Sequence, residues 1–184
     1  MTKDVQFTSE MLKGQSFQGE KFVNCKFSFQ NFRFTTFENS LFENCDFSNA
    51  LIQTTSFEKC LFSESKLSWI NFKDTNLKNC SFDNSIMEGC TFEKQKLTDS
   101  KFANCEISSA YFINCDLAHG EILKSNLLKA VFDHCKLSGA NLLGSDLTGV
   151  LFQDCKIDKT KIDINGFISF GQSKGFVLDA QNEG

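Results

Sequence analysis

The stretch SKFANCEISSAYFINCDLAH, residues 100–119, repeats a five-residue pattern four times. Its large apolar residues are Phe102, Ile107, Phe112 and Leu117. Each of them follows a small residue by two positions. A period of five fits neither an α-helix, with 3.6 residues per turn, nor an alternating strand, with a period of two. It fits a short extended segment followed by a corner, because residues two apart in an extended segment point the same way.

The pattern continues over most of the chain without an insertion. All 33 residues whose numbers end in 2 or 7, from Phe7 to Phe167, are Phe, Leu, Ile or Met. Of the 28 residues whose numbers end in 0 or 5, from Cys25 to Thr160, 24 are Cys, Ser, Thr, Ala or Gly. Two positions in every five are therefore predicted to face the interior, one filled by a large side chain and one by a small side chain.

Charged residues avoid both of these positions. The chain has 19 Lys and Arg and 23 Asp and Glu, and only Glu10 and Glu20 fall on a position predicted to face inward. Because burying an unpaired charge is costly, the other three positions of each repeat are predicted to face water. The residues that we assign to the core are Phe27, Phe47, Phe72, Phe82, Phe92, Phe102, Phe112, Cys115, Cys135 and Cys155.

The corners are predicted at positions whose numbers end in 4 or 9. Asn and Gly are frequent there, as in Asn24, Asn44, Gly89 and Gly139. Both residue types tolerate the positive φ that some tight turns require. A corner every five residues winds the chain into a coil, and stacked coils can hydrogen-bond along the axis as parallel strands do.

Individual units carry a resemblance to a known family. The units CKFSF (25–29), CDFSN (45–49), CSFDN (80–84) and SDLTG (145–149) resemble the pentapeptide repeats of the pentapeptide-repeat family. The resemblance covers roughly residues 7–167. It implies an all-β fold, a right-handed quadrilateral parallel β-helix of about eight coils, with four repeats per coil and a short C-terminal helical cap.

The two ends depart from the repeat. We expect residues 1–20 to form an N-terminal cap or irregular first coil, residues 21–167 the β-helix, and residues 168–184 a C-terminal cap and tail. Within the tail, residues 169–175 are predicted to form a short helical turn. Phe176 and Val177 are predicted to pack back on the last coil, since an open coil edge would invite strand addition.

Cysteine and histidine positions do not favour a chemical site. All nine cysteines lie on small inward positions, no C-x-x-C occurs, and other small residues replace Cys at equivalent positions. We therefore predict buried, reduced thiols rather than disulfides or a metal site. His119 and His134 lie at outward corners. No nucleotide-binding or hydrolase motif occurs, so we expect a non-enzymatic protein without a metal or cofactor.

Charge and hydropathy limit the partners. The net charge of −4 argues against binding nucleic acid directly through a basic surface. No apolar run approaches the ~18 residues of a membrane span, and the N-terminus lacks the pattern of a signal peptide, so a cytoplasmic protein is expected. Acidic and basic residues are nearly balanced on each of the four sides.

Two sets of exposed apolar residues are candidate contact surfaces. Tyr111, Val131 and Leu151 are twenty residues apart and form a strip over three successive coils, with Ile113 beside Tyr111. Together with Phe176, this strip is our candidate for a homodimer interface through the C-terminal coils, the alternative being cover by the C-terminal tail. The second set, Phe29, Phe34 and Trp69, is a candidate partner surface, the alternative being bulky packing along the corners.

Two functions are compatible with this pattern. The chain resembles the quinolone-resistance (Qnr-type) and mycobacterial gyrase-protecting branch of the family. That resemblance implies a rod that mimics duplex DNA, binds DNA gyrase or topoisomerase IV, and protects the enzyme from quinolones or similar poisons. The alternative is a protein–protein interaction scaffold with a partner unrelated to topoisomerases, because a fold does not determine a function.

Overall fold

A computed structural model describes residues 1–98 and 100–179 of the chain. The secondary-structure elements of these residues are short strands and two helices. In chain order they are β1 (Thr2–Lys3), α1 (Ser9–Leu12), β2 (Ser16–Gln18), β3 (Lys21–Val23), β4 (Thr36–Glu38), β5 (Leu41–Glu43), β6 (Ser56–Glu58), β7 (Leu61–Ser63), β8 (Asn76–Lys78), β9 (Ser81–Asp83), β10 (Thr91–Glu93), β11 (Lys101–Ala103), β12 (Tyr111–Ile113), β13 (Glu121–Leu123), β14 (Val131–Asp133), β15 (Leu151–Gln153) and α2 (Ile164–Ser173).

The strands form three parallel sheets, one on each of three sides. The first has the order β1-β3-β5-β7-β9-β11-β13, the second β2-β4-β6-β8, and the third β10-β12-β14-β15. Partners are twenty residues apart, as in Phe22 opposite Phe42 and Phe42 opposite Phe62. Twenty residues therefore make one coil, which is four five-residue units.

The fourth side is joined by isolated parallel bridges. Lys26 bridges to Asp46, Asp46 to Lys66, and Lys66 to Ile86, and the column continues to Asp146. The molecule is thus a parallel β-solenoid of about eight turns with a short C-terminal helix. The fold class predicted from the five-residue period and the family resemblance is confirmed.

Stacked phenylalanine rings fill the axis. Successive rings in the column of Phe22, Phe42, Phe62 and Phe82 lie 4.8–5.1 Å apart and within 13° of parallel. The rings on adjacent sides meet edge to face, as Phe37 and Phe42 do at 5.2 Å and 75°. Both arrangements are favoured pairings of aromatic quadrupoles. Burying each phenylalanine side chain contributes about 1.5–3 kcal/mol.

The small inward residues satisfy buried carbonyl groups of the preceding coil. Thr35 Oγ1 donates to the carbonyl of Leu12 at 2.8 Å, and Ser145 Oγ donates to that of Ile122 at 2.8 Å. Each donor is 23 residues after its acceptor. Gln95, an exception to the small-residue rule, keeps the same bond, with Nε2 2.7 Å from the carbonyl of Phe72. An unpaired buried carbonyl is costly, so the position selects residues that can donate a hydrogen bond as well as small ones.

The corners adopt the left-handed conformation at nearly every repeat. Positive φ occurs at Asn24, Asn44 and Asn84, as expected for Asn, but also at Lys59 and Glu64. The corner N–H donates to a carbonyl of the next coil, as Asn84 N does to Ala103 O at 2.9 Å. The stacking of coils therefore imposes positive φ on residue types that rarely adopt it.

The N-terminal end closes the first coil. β1 pairs with β3, and α1 occupies one side of the coil, with Leu12 of α1 fully buried. Glu10 and Gln15 remain exposed in this irregular region, which explains why they break the inward pattern.

The C-terminal end differs from two expectations. The helix begins at Ile164, so the β-helix boundary expected at residue 167 falls inside α2, and Phe167 lies exposed on that helix rather than inward. Val177 is 89% exposed and Phe176 is 73% exposed, so the prediction that they pack on the last coil is wrong. The division into cap, β-helix and tail stays a prediction, and its tail includes residues 180–184, outside the described residues.

Candidate interaction surface

One side of the solenoid carries the exposed apolar strip. We call it the Tyr111 face. It is the outward side of residues 9–14 and of the equivalent segments in each later coil, ending with residues 149–154. The ladder places Tyr111 opposite Val131, and Val131 opposite Leu151. Tyr111 is 48% exposed and Leu151 is exposed, whereas Val131 and Ile113 are half-buried. Tyr111 and Leu151 thus remain exposed in the presence of the described residues of the tail.

Two further exposed apolar residues lie in the same column, separated from the strip by the polar residues Asn71 and Thr91. Leu51 lies in the same column as Tyr111 and is 49% exposed, and Met11 begins that column and is exposed as well. We did not single out either residue from the sequence. The sequence does contain the signal: both residues lie at intervals of twenty from Tyr111, but the pattern was followed over three coils and not over the whole chain.

The three aromatic residues Phe29, Phe34 and Trp69 border the Tyr111 face. All three lie at corners, are well exposed, and have φ of 61–63°. A bulky residue in the left-handed conformation is strained, and such strain is enriched at functional sites. The residue type that a strained corner would select for stability alone is Asn or Gly. Since the stacking of coils imposes positive φ on other residue types as well, the strain does not decide between contact with a partner and packing along the corners.

Two of these side chains are held by neighbours. The Trp69 ring lies directly over Gly89 in the next coil, where an added Cβ would overlap the ring. The Arg33 guanidinium lies 5.9 Å from the centre of the Phe34 ring, which is a cation–π distance. Both contacts fix the orientation of aromatic surface that remains open to solvent.

Helix α2 closes the C-terminal end of the core. Asp163 caps it by accepting the Gly166 N–H at 2.7 Å, and its second oxygen accepts the Gly144 N–H at 2.7 Å. The Gly144 N–H lies at a corner, where the N–H would otherwise donate to the next coil. These two hydrogen bonds lower the pKa of Asp163. Asp163 thus ends the coil and starts the helix, a role that the sequence analysis missed although Asp is a favoured N-cap residue.

An apolar groove lies between α2 and the tail. Phe170 of α2 packs against Phe152, with 5.8 Å between the ring centres. Lys174 Nζ donates to the carbonyl of Val150 at 3.0 Å. The groove has a volume of about 360 Å³ and is lined by Phe167, Ile168, Phe170, Gly171, Gln172, Phe176, Val177 and Leu178. Phe176 therefore lies at the C-terminal end of the molecule, away from the flat sides.

Among the described residues, one cluster combines histidine with two acids. His134 Nδ1 lies 2.7 Å from Asp133 Oδ1, and Nε2 lies 3.8 Å from Asp154 Oδ2. The hydrogen bond to Asp133 raises the pKa of His134. The other histidine, His119, lies with its ring over Gly139. All of these groups are on the outer surface, where His134 contributes positive charge beside two carboxylates when it is protonated.

The core residues assigned from the sequence lie inside the coil. Phe27, Phe47, Phe72, Phe82, Phe92, Phe102 and Phe112 are at most 1% exposed, as are Cys115 and Cys135. Cys155 is half-buried because it belongs to the last coil. Burial raises the pKa of Cys45 and Cys90 to about 12 and that of Cys105 to about 11. These thiols stay protonated at neutral pH and donate to backbone carbonyls, as Cys90 does to Leu67 O at 2.9 Å.

Family models match the repeated region. A model described as "Pentapeptide repeat region" matches residues 85–162, and one described as "Pentapeptide repeats (8 copies)" matches residues 60–99. The chain belongs to the pentapeptide-repeat family. The curated proteins yield no match to it. Among the described residues of this family member, no helix has the length and apolar character needed to cross a membrane.

Solved structures resemble the chain to different degrees. A trypsin-treated variant of QnrB1, described as a plasmid-mediated fluoroquinolone resistance protein, is 17% identical, with 98% of this chain and 100% of that chain covered and a TM-score of 0.64. HetL from the cyanobacterium Nostoc, a pentapeptide-repeat protein involved in regulating heterocyst differentiation, is 13% identical over 80% of this chain and 87% of that chain, with a TM-score of 0.39. The chain is thus a pentapeptide-repeat protein structurally similar to QnrB1.

Proposed function

We propose that this pentapeptide-repeat protein is a non-enzymatic, cytoplasmic protein that binds DNA gyrase or topoisomerase IV as a mimic of duplex DNA. In this proposal the bound protein protects the enzyme from quinolones or similar poisons. The observation that supports it most is the end-to-end structural correspondence with QnrB1, a plasmid-mediated fluoroquinolone resistance protein. The resemblance to the Qnr-type branch in length, in the single continuous rod, in cysteine-rich small positions and in a C-terminal cap points the same way.

In the mechanism that we propose, carboxylates of this protein occupy the positions at which a basic groove of the topoisomerase binds DNA phosphates. Glu43 and Asp83 lie in one column on the outside of the first sheet, with Ser63 between them. Because acids and bases are nearly balanced on every side, exposed apolar residues would have to contribute to binding as well. The rod offers only its outer surface for this purpose, since stacked side chains fill its axis.

A supercoiling assay tests this function. Purified protein is added to gyrase, relaxed plasmid and ciprofloxacin, and in parallel to topoisomerase IV. We expect the protein to restore supercoiling, or to inhibit the enzyme at high protein concentration. If carboxylates imitate phosphates, the variant with Glu43→Lys and Asp83→Lys should lose the effect, whereas the control with Glu43→Asp and Asp83→Glu, which keeps both carboxylates, should keep it. The absence of any effect of the native protein on either enzyme would contradict the proposal.

A second candidate function is a protein–protein interaction scaffold for a partner unrelated to topoisomerases. The strained, exposed aromatic residues Phe29, Phe34 and Trp69 favour it, because DNA mimicry gives no reason for aromatic groups at the corners. A null result with both topoisomerases, together with loss of another partner on Trp69→Asp, would favour this function over the first.

We also propose that the protein forms a homodimer through its C-terminal coils. Two surfaces are available there, the strip of Tyr111, Val131 and Leu151 and the groove beside Phe176. Light scattering that shows only a monomer of 20.8 kDa at micromolar concentration would contradict the homodimer.

A further inference from the structure

Charge is distributed unevenly along the Tyr111 face. One column of this face consists of the residues that directly follow the large inward residues. In it, Arg33 and Lys73 lie toward the N-terminus, and Glu93 and Asp133 lie toward the C-terminus. In the corner column beside it, Asp74 lies on the N-terminal half and Lys94 on the C-terminal half. The basic half of the first column is thus matched by an acidic half, and in the second column Asp74 is matched by Lys94. Lys13 and Asp154, at the two ends, have no charged residue at the matching position.

This pattern is complementary to itself when the face is reversed. Consider a twofold axis in the plane of the face, perpendicular to the long axis of the rod, between the coils of Phe72 and Phe92. Rotation about this axis places a second copy antiparallel on the first. Each column then faces the same column counted from the other end. Arg33 faces Asp133 of the second copy, Lys73 faces its Glu93, and Asp74 faces its Lys94. Every such pair occurs twice, as a twofold interface requires.

The apolar and aromatic residues match in the same register. Leu51 faces Tyr111 of the second copy, and Met11 faces its Leu151. At the corners, Phe29 faces Lys129 and Phe34 faces His134, so each aromatic ring meets a group that is cationic, or becomes cationic when it is protonated. Among the described residues of the two columns and the two corners, this register places no like charges directly opposite one another.

The Lys73–Glu93 pair lies at the centre of this arrangement, where the charges of the two copies would neutralise one another. Within one chain, Lys73 Nζ lies 3.3 Å from Glu93 Oε2, in the neighbouring coil. The twofold axis passes between these coils, so two such pairs would meet and form a network of four alternating charges. Networks of charges stabilise more than isolated exposed pairs do.

We propose that two copies of this chain associate face to face and antiparallel through the Tyr111 face. The inference rests on the homodimer proposed above, and it replaces contact through the C-terminal coils alone with contact along the whole length of the face. It assigns the apolar strip to contact with the N-terminal coils of the second copy, and it leaves the C-terminal groove outside the interface. Phe29, Phe34 and Trp69 then contact the second copy rather than a different protein.

Charge reversal tests the proposal, because the interface pairs different residues of the same chain. Arg33→Asp and Asp133→Arg are made separately, and light scattering measures the oligomeric state. Each single variant brings like charges together twice, so its dimer dissociation constant should rise at least about tenfold. Mixing the two single variants restores opposite charges at both contacts, so a heterodimer should form. The control Lys66→Asp makes a similar change on an adjacent side and should leave the dimer unchanged.

The outcomes separate the arrangement from the dimer itself and from topoisomerase binding. Restored pairing in the mixture supports the antiparallel face-to-face dimer. A dimer that survives Arg33→Asp but is lost on Phe176→Lys would show contact through the C-terminal ends and overturn the inference while the homodimer stands. A native protein that is monomeric overturns both. The supercoiling assay is read separately, since either result there leaves the oligomeric state to be measured.

Discussion

Replacing Phe72 with Asp is expected to abolish the cooperative fold or to lower the free energy of unfolding by at least about 4–5 kcal/mol. Phe72 is 1% exposed, and its ring lies 4.6 Å from the Phe92 ring at an angle of 4°. A carboxylate at this position would be buried in the axis without a partner. At this chain length the loss corresponds to a fall of roughly 10 °C or more in melting temperature.

Two control variants separate the effect of burying a charge from the effect of losing the phenylalanine ring and from that of adding an acid on the surface. Phe72→Leu should cost far less, because Leu occupies nine of the 33 equivalent positions. Lys66→Asp places an acid on an exposed outward position of the adjacent side and should leave the fold intact. Thermal melts followed by far-ultraviolet circular dichroism measure all three variants. An unchanged melting temperature for Phe72→Asp would mean that this side chain does not face a closed axis.

Replacing Asn84 with Pro is expected to cost about 3 kcal/mol or more. Asn84 has a φ of 49°, and its N–H donates to the carbonyl of Ala103 at 2.9 Å. Proline fixes φ near −65° and has no N–H, so it can neither adopt this corner nor bond to the next coil. The chain has no proline, which agrees with a fold in which every corner has the same requirement.

The matched control is Asn84→Gly. Glycine occupies equivalent corners at Gly89 and Gly139, where φ is 65° and 71°, so Asn84→Gly should change stability by less than about 1 kcal/mol. Urea unfolding measures both variants. Equal stability of Asn84→Pro and the native protein would show that this corner is not left-handed.

The repeat could be predicted from the sequence because each of its requirements recurs in every coil. The alternation of a small residue and a large apolar residue fixes the inward positions, and the exclusion of charge confirms their direction. A single exception such as Gln95 does not disturb the pattern, since its amide makes the same hydrogen bond as Ser or Thr. Four sides per turn came from the family resemblance, because the period of five is compatible with other numbers of corners.

The ends could not be predicted with the same accuracy because they occur only once. Phe167 continues the five-residue register in sequence, yet Asp163 caps a helix and removes it from the coil. The helix then directs Phe170 inward and leaves Phe167 exposed. The helix cap at Asp163 therefore outweighs the five-residue register at this point. Only the last coil and the helix that closes it are affected.

The candidate surface was predicted only in part, for a different reason. The sequence places Tyr111, Val131 and Leu151 in one column, but the exposed fraction of each depends on its neighbours. The sequence places Phe29, Phe34 and Trp69 at corners, but the contacts of the Trp69 ring with Gly89 and of Arg33 with the Phe34 ring appear only in the structure. The proposed self-complementarity of the face required the register of all eight coils, since it pairs residues from opposite ends of the rod, such as Arg33 and Asp133.

The most direct test of the central claim, that every fifth side chain points into the core, is a titration of the nine cysteines without reductant. Eight of the thiols are buried, and burial raises the pKa of Cys45, Cys90 and Cys105 well above neutrality. We predict that no thiol except the half-buried Cys155 reacts promptly with a thiol reagent in the native protein, and that all nine react after denaturation. Prompt reaction of several thiols in the native protein would contradict the inward five-residue register, and seven or fewer after denaturation would contradict reduced cysteines.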